Sequence, residues 1–300
     1  MKFVWLMLAA FAEPQGLRVP AGLDAYIPVP ETNPITKESV QLGRKLFFDK
    51  RLSRDSSVSC ATCHDPQYAF TDARKLAVGV DGRTGDKRVP RILNRAYGKA
   101  FFWDGRVAQL EEQVVMPIAN PKEMDLDVQV AATRVGLDIV TLQRALASYV
   151  RTILSGNSPY DRYVQGDRDA LTSEQKLGLQ IFRGKAGCGS CHLGPNLTDE
   201  RFHNTGIGTA DELGHFATSR DPGDHGAFKT PSLRDVARTP PYMHDGSLAT
   251  LDEVIDYYDK GGRANANLDA EVRKLQLSAP EKKALVAFLQ ALNGVISDGF

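Results

Sequence analysis

The sequence carries no excess of charge of either sign and has little cysteine. Its 300 residues include 37 Lys and Arg against 37 Asp and Glu. The positive charge that draws proteins to phosphate backbones is missing, so nucleic acid is not an expected partner. The cysteines number four and form two closely spaced pairs, each followed by a histidine. This arrangement leaves no cysteine for a disulfide framework.

The sequence also lacks an apolar segment of the ~20 residues that a membrane span needs. Its main apolar run covers residues 3–11, after the single positive charge of Lys2. A short apolar stretch with small residues at Ala10 and Ala12 is typical of a secretory signal peptide, and a short buried helix is the alternative. We therefore expect residues 1–12 to be a signal peptide and the rest to be a soluble periplasmic protein.

What the sequence does contain is an internal repeat. Residues 42–48 read LGRKLFF and lead into CATCH at residues 60–64. Residues 177–183 read LGLQIFR and lead into CGSCH at residues 188–192. Both apolar patterns have helical spacing, so the chain is expected to hold two similar helical modules in tandem.

The CxxCH motif is typical of covalent haem attachment. Two cysteines at this spacing can form thioethers to the vinyl groups of a haem, and the adjacent histidine then ligates the iron. Zinc sites and thioredoxin-like redox pairs also use Cys-x-x-Cys, but neither explains the histidines. The motifs therefore predict two covalent c-type haems. The predicted haem-binding residues are Cys60, Cys63 and His64 in the first module and Cys188, Cys191 and His192 in the second.

The repeat and the haem motifs together predict the fold class. Each module also ends with apolar residues at helical spacing, over 142–154 and 280–292. A polar segment with Gly and Pro, residues 155–167, lies between the modules. We predict a mainly α protein of two tandem cytochrome c-like helical domains, an N-terminal domain at 13–165 and a C-terminal domain at 166–300.

The first haem has no obvious sixth ligand nearby in the sequence. Residues 65–191 contain no histidine, and residues 8–115 contain no methionine. We therefore expect an open coordination position at which a small molecule can bind. Trp103, Gln113 and Glu123 follow downstream. Each alone has an ordinary interpretation as a core or surface residue, but beside an open haem they indicate a reaction site.

Four further motifs accompany the CxxCH pair. They are FWDGR at 102–106, QxxxP at 113–117, PxEM at 121–124 and PYMHDG at 241–246. Together these motifs resemble the bacterial di-haem cytochrome c peroxidases and the related maturation enzyme MauG, over nearly the whole chain from about residue 35. The resemblance implies a peroxidatic haem in the N-terminal domain and an electron-receiving haem in the C-terminal domain.

The resemblance also implies roles for individual residues. Trp103 would lie between the haems, Gln113 and Glu123 would act on peroxide, and Pro117 would pack over the open face of the first haem. A calcium ion between the domains is typical of the family, and calcium prefers hard oxygen ligands. The matching positions are Asn94, Thr239 and Pro241, the last two through their backbone carbonyls.

The sequence departs from many of these peroxidases at two places. Residues 65–102 hold no histidine that would block the first iron, and Tyr258 replaces the usual methionine ligand of the second haem, as in MauG. Tyr258 shares a helix face with apolar residues, so a core role is the ordinary alternative. Met243 is the rival ligand. MauG has a tryptophan just before its second haem motif, which residues 184–187 lack, so its particular radical route is not expected.

The leading interpretation is a dihaem peroxidase that reduces hydrogen peroxide to water. A carboxylate such as Glu123 can move a proton between the two peroxide oxygens, and Gln113 can orient the molecule. Electrons would come from a small cytochrome c or copper protein, through the second haem and Trp103. A MauG-like oxidase that modifies a protein partner and a non-catalytic electron carrier are the alternatives. We assign no role to the loop histidines, for which a solvated position is the default: His203, His215 and His225.

Overall fold

The computed structural model describes residues 16–300, so the predicted signal peptide at 1–12 lies outside the described residues. Within the described range, no helix is long and apolar enough to cross a membrane. The chain is mainly α-helical there, with two small two-stranded sheets. We refer below to residues 16–165 as the first half and to residues 166–300 as the second half.

Helices dominate both halves. Those of the first half are α1 (Lys37–Phe47), α2 (Cys60–Cys63), α3 (Leu110–Gln113), α4 (Met116–Ala119), α5 (Val128–Arg134), α6 (Ile139–Arg151) and α7 (Pro159–Val164). Those of the second half are α8 (Ser173–Arg183), α9 (Phe216–Ser219), α10 (Leu251–Asp259) and α11 (Ala279–Gln290). Short 3-10 helices lie at Lys50–Leu52, Pro66–Tyr68, Val80–Gly82, Arg95–Tyr97, Cys188–Ser190, Pro222–Asp224 and Val236–Arg238.

The sequence repeat is also a packing repeat. Helix α1 packs on α6 in the first half, and α8 packs on α11 in the second. At each contact a glycine lies against the backbone of the partner helix, since a Cβ at Gly43 would overlap the carbonyl of Ala145 and a Cβ at Gly178 would overlap that of Ala284. Glycine allows the two helices to approach closely. The Leu-Gly step shared by the two repeats thus has the same structural role in both.

Two clusters of buried apolar residues form the core. One is drawn from residues 27–154 and the other from residues 171–292. Four short strands, β1 (Leu154–Gly156), β2 (Phe202–His203), β3 (Phe228–Lys229) and β4 (Val295–Ser297), contribute little to either. Strands β1 and β4 pair antiparallel, with Ser155 opposite Ile296, so the end of the chain returns to the first half. Strands β2 and β3 also pair antiparallel, with Phe202 opposite Lys229.

A second, less obvious repeat joins the halves to each other. The backbone N–H of Arg88 donates to the carbonyl of His244 at 2.8 Å, and that of Lys229 donates to the carbonyl of Trp103 at 2.8 Å. Arg88 precedes Trp103 by 15 residues, as Lys229 precedes His244. The rings of Trp103 and His244 meet edge to face, with centroids 6.4 Å apart.

Backbone conformation supports this second repeat. Asn94 and Asp235 each stand nine residues before the ring of the pair and have φ of 58° and 57°. Phe102 and Met243 immediately precede the two rings and have φ of 64° and 71°. Positive φ is uncommon for residues with side chains, so four matched positions indicate related folding of the two segments. The segments around Trp103 and His244 are therefore structural counterparts.

Replacement of Gly43 or Gly178 by alanine should destabilise the protein, although alanine normally stabilises a helix interior. The added methyl group overlaps the facing carbonyl, so we expect a loss of about 1–3 kcal/mol, the usual cost of overpacking. Denaturant unfolding of the holoprotein measures the loss. The control is Gln41→Ala on the exposed face of α1, which should stay within about 0.5 kcal/mol of the parent. Unchanged stability in both glycine variants would contradict the close helix contacts.

Candidate active site

A cavity of about 590 Å³ lies beside the first CxxCH motif and reaches the second half. Residues predicted from separate motifs meet on its wall: Cys63, His64, Trp103, Gln113, Pro117 and Glu123. The second half also contributes to the wall, including Glu212, Thr239, Tyr242 and Met243. The structure therefore brings the predicted proximal histidine His64, the amide of Gln113 and the carboxyl group of Glu123 around a common space.

The orientation and protonation state of His64 suit a metal ligand. It follows the single turn of α2, and its Nδ1–H donates to the carbonyl of Phe70 at 3.1 Å. Burial lowers the pKa of His64 to about 4, so the ring is neutral at neutral pH. A neutral imidazole whose Nδ1–H is held by a carbonyl presents Nε2 to a metal.

His192 has the same arrangement in the second half. Its Nδ1–H donates to the carbonyl of Leu197 at 3.1 Å, and burial lowers its pKa to about 4. The four cysteines of the two motifs form no disulfide. Burial raises the pKa of Cys60 to about 12 and that of Cys188 to about 11, so these thiols are neutral. Free cysteine pairs beside neutral histidines fit the attachment of two c-type haems.

Glu123 is the carboxyl group of the predicted reaction site, on the cavity wall that also holds His64 and Gln113. The Asn120 side chain donates to its Oε1 at 2.6 Å. Burial raises the pKa of Glu123, while the bond from Asn120 and the charge of Arg106 oppose the rise. A carboxyl group whose pKa is shifted towards neutrality is suited to both accept and return a proton.

Gln113 and Pro117 lie on consecutive short helices. Gln113 is the last residue of α3, and Pro117 lies in the first turn of α4. Both are half-buried on the cavity wall. The chain turns between these helices, which directs both side chains towards the same space as Glu123. The amide of Gln113 supplies both a donor and an acceptor there.

Trp103 lies at the boundary between the halves. Its indole N–H donates to the carbonyl of Arg88 at 2.8 Å, and its own carbonyl accepts from the N–H of Lys229. The ring is half-buried on the cavity wall and contacts His244. Its backbone and side chain are thus fixed from both sides of the boundary. A position between two haems remains a prediction.

The structure separates the two rival ligands of the second haem. Tyr258 lies on α10 and packs on the same core cluster as Cys188. Burial raises the pKa of Tyr258, and the neighbouring Cys188 adds to the rise. The hydroxyl of Tyr257 is bound elsewhere and donates to the carbonyl of Thr205 at 2.9 Å. Met243 instead lines the cavity of the first motif.

The predicted calcium ligands have other partners in the structure. The side-chain oxygen of Asn94 accepts from the backbone N–H of Ser155 at 2.8 Å. The carbonyl of Thr239 accepts from the guanidinium of Arg88 at 2.9 Å. The guanidinium of Arg88 therefore faces one of the predicted calcium ligands, and a calcium ion at this set stays a prediction. Pro241 follows a cis peptide bond from Pro240.

Two of the loop histidines are not solvated, contrary to expectation. His203 bonds to Asp199 at 2.9 Å and to Asp269 at 2.6 Å, and contact with Cys191 together with these carboxylates raises its pKa to about 10. His215 stacks on Phe202 with ring centroids 3.5 Å apart. These partners are distant in the sequence or hidden in loops without periodicity. No local pattern could have identified them.

Comparison with known proteins agrees with this geometry. Residues 37–139 match the family model described as di-haem cytochrome c peroxidase. The methylamine utilization protein MauG of Methylorubrum extorquens is 42% identical over 288 residues, which cover 89% of this chain and 81% of that protein. Cytochrome c551 peroxidase of Nitrosomonas europaea is 32% identical over 289 residues, which cover 89% of this chain and 83% of that protein.

A solved structure has the same fold over almost the whole chain. It is that of a MauG-like protein associated with microbial copper homeostasis, with a TM-score of 0.83 and 36% sequence identity. The match covers 91% of this chain and 94% of that chain.

Proposed function

Because this chain belongs to the di-haem cytochrome c peroxidase family, which includes MauG, we propose that it reduces hydrogen peroxide to water at the first haem. The observation that carries the proposal is the cavity that gathers His64, Gln113 and Glu123. Two electrons and two protons convert one peroxide into two waters. A small cytochrome c or copper protein supplies the electrons, which pass through the second haem. The composition of residues 1–12 supports a periplasmic location.

The chain would hold each haem through one CxxCH motif. Cys60 and Cys63 form the thioethers of the first haem, and Nε2 of His64 ligates its iron. Cys188, Cys191 and His192 do the same for the second. When bound, haem supplies an iron centre that accepts peroxide and exchanges electrons. The protein supplies binding, orientation and proton movement.

Glu123 is the proton-transfer group in this proposal. Cleavage of the O–O bond requires a proton to leave the inner peroxide oxygen and to reach the outer one. A half-buried carboxyl group with a raised pKa can accept the first and donate the second. Gln113 orients the peroxide through its neutral amide. Pro117 fills space without offering a proton or a ligand, which keeps the coordination position open.

Trp103 is the proposed electron relay between the halves. Its indole is fixed to Arg88, and its backbone is fixed to Lys229 of the other half. An aromatic ring held rigidly at this boundary provides an intermediate site for electrons that travel from the second haem.

A MauG-like oxidation of a protein partner is the second candidate. It is favoured by the packing of Tyr258 with Cys188 on the second core cluster, which supports tyrosine as the sixth ligand of that haem. A tyrosinate ligand stabilises oxidised iron, whereas methionine favours reduced iron. A calcium ion at Asn94, Thr239 and Pro241 is a further prediction of the resemblance, and neither proposal depends on it.

Glu123→Gln should lower peroxide turnover by about two to four orders of magnitude, the usual value of a positioned acid–base group. The assay is hydrogen peroxide-dependent oxidation of reduced cytochrome c. The parent should lose activity as pH falls through the raised pKa of Glu123, and the variant should lack that acid limb. Glu112→Gln makes the same change at an exposed position and should leave turnover unchanged.

The assay also separates the two candidate functions. Turnover of the parent with reduced cytochrome c, together with its loss in Glu123→Gln, supports the peroxidase. A parent that does not turn over with any reduced donor, but whose peroxide-oxidised haems oxidise a protein partner, supports the MauG-like oxidase. Equal turnover in Glu123→Gln and the parent would assign proton transfer to another group.

Tyr258→Met should raise the midpoint potential of the second haem, because a neutral thioether replaces an anionic oxygen. Met243→Leu is the matched variant and should leave that potential unchanged, since Met243 lines the cavity beside the first CxxCH motif. Potentiometric titration of both holoproteins measures the difference. Loss of a low-spin haem in Met243→Leu, with no shift in Tyr258→Met, would identify Met243 as the ligand instead.

A further inference from the structure

Arg88 is a buried cation with unused hydrogen-bond donors. Its residue is 5% exposed and lies on the wall of the cavity that contains His64. One nitrogen donates to the carbonyl of Thr239 at 2.9 Å and another donates weakly to that of Val89 at 3.3 Å. Its Nε is buried and has no partner among the described residues. A buried donor without an acceptor costs free energy, so the site lacks an anion or a polar acceptor.

The charge of Arg88 is also uncompensated by direct contact. The nearby carboxylate of Asp72 lowers the cost of the charge but bonds to Arg74 at 3.1 Å. Burial lowers the pKa of Arg88, and burial together with the charge of Arg88 lowers the pKa of a second arginine, Arg91. Two guanidinium groups therefore share one cavity wall, and no carboxylate of residues 16–300 is hydrogen-bonded to either.

Arg91 completes the cationic wall. Its guanidinium donates to the carbonyls of Ser232 and Arg234, both in the second half. Burial lowers its pKa to about 10, against the attraction of Asp235. Asp235 itself pairs with Arg238 at 2.8 Å. Arg91 thus adds positive charge beside Arg88 while its hydrogen bonds fix the second half against the cavity.

We propose that Arg88, with the added charge of Arg91, binds propionate carboxylates of the first haem. The proposal rests on haem attachment at Cys60 and Cys63, as stated under the proposed function. A haem carries two propionates, and arginine is suited to carboxylates because its planar group can donate two parallel bonds. Cys63 and His64 line the same cavity as the two arginines. A carboxylate on the free Nε–H of Arg88 would satisfy the orphaned donor and offset the buried charge.

Arg88 would also position the indole of Trp103. The carbonyl of Arg88 accepts from the indole N–H of Trp103, and its N–H donates to the carbonyl of His244. One residue therefore contacts the haem carboxylate through its side chain, and the relay ring and the second half through its backbone. Attachment of the first haem would fix the boundary between the halves.

The test compares three variants of the holoprotein without peroxide. Arg88→Met should lower the midpoint potential of the first haem, because loss of a nearby positive charge disfavours the added electron. It should also shift the propionate bending mode in the resonance Raman spectrum. Arg88→Lys keeps the charge and should retain most of the potential while still shifting that mode. Arg83→Met removes the same charge from an exposed position of the first half and should change neither.

These readouts do not depend on catalysis, so they distinguish this proposal from the proposed peroxidase activity. An unchanged potential and propionate mode in Arg88→Met would overturn the proposal. If that variant does not retain the first haem, an unchanged mode in Arg88→Lys would overturn it equally. Titration with inorganic phosphate tests a free anion as the occupant. A parent potential that moves with phosphate, together with an unshifted propionate mode in Arg88→Met, would assign the arginines to that anion.

Discussion

The contact between the halves at Trp103 and His244 is the constraint on which the site depends. Two backbone hydrogen bonds, from Arg88 to His244 and from Lys229 to Trp103, cross the boundary in opposite directions. They are reciprocal, since each joins one residue of the repeat to the counterpart of the other. Arg88 and Trp103 lie on the cavity wall together with His64. The wall is thus built from both halves, although His64, Gln113 and Glu123 all come from the first.

Burial has opposite effects on the pKa values of acids and bases, and both effects occur in this structure. It keeps His64 and His192 neutral, as metal ligands must be. It raises the pKa of Glu123, which suits proton transfer. It also lowers the pKa of Arg88, because the buried positive charge has lost hydration free energy that an anionic partner would offset. Burial thus accounts for the direction of the pKa shift in each of these groups.

Local sequence patterns predicted the helices that precede the two CxxCH motifs and those near the end of each half. The Leu-Gly step at residues 42–43 and 177–178 fell within the repeat that the sequence shows, and its packing role in both halves follows from helix geometry. The resemblance led to Trp103, Gln113 and Glu123, which the structure gathers on one cavity. The role of each remains to be tested.

The rest could not be predicted because it depends on contacts between distant segments. The counterpart of Trp103 is His244, a different residue type, and the two segments share little beyond an Asp-Gly step after the ring and a proline thirteen residues before it. The second repeat is therefore clearer in backbone conformation than in sequence. His203 has one partner 66 residues away. The contact of Arg88 with the carbonyl of Thr239, a predicted calcium ligand, spans 151 residues. Such pairs follow from the packing of the halves.

The central claim is an open coordination position on the first haem, facing Glu123 and Gln113. No second histidine is among the described residues that line the cavity with His64. Electron paramagnetic resonance of the fully oxidised holoprotein at neutral pH tests the claim most directly. The account predicts a high-spin ferric signal from the first haem beside a low-spin signal from the second. Low-spin signals alone would contradict it, because a protein side chain would then occupy the position assigned to peroxide.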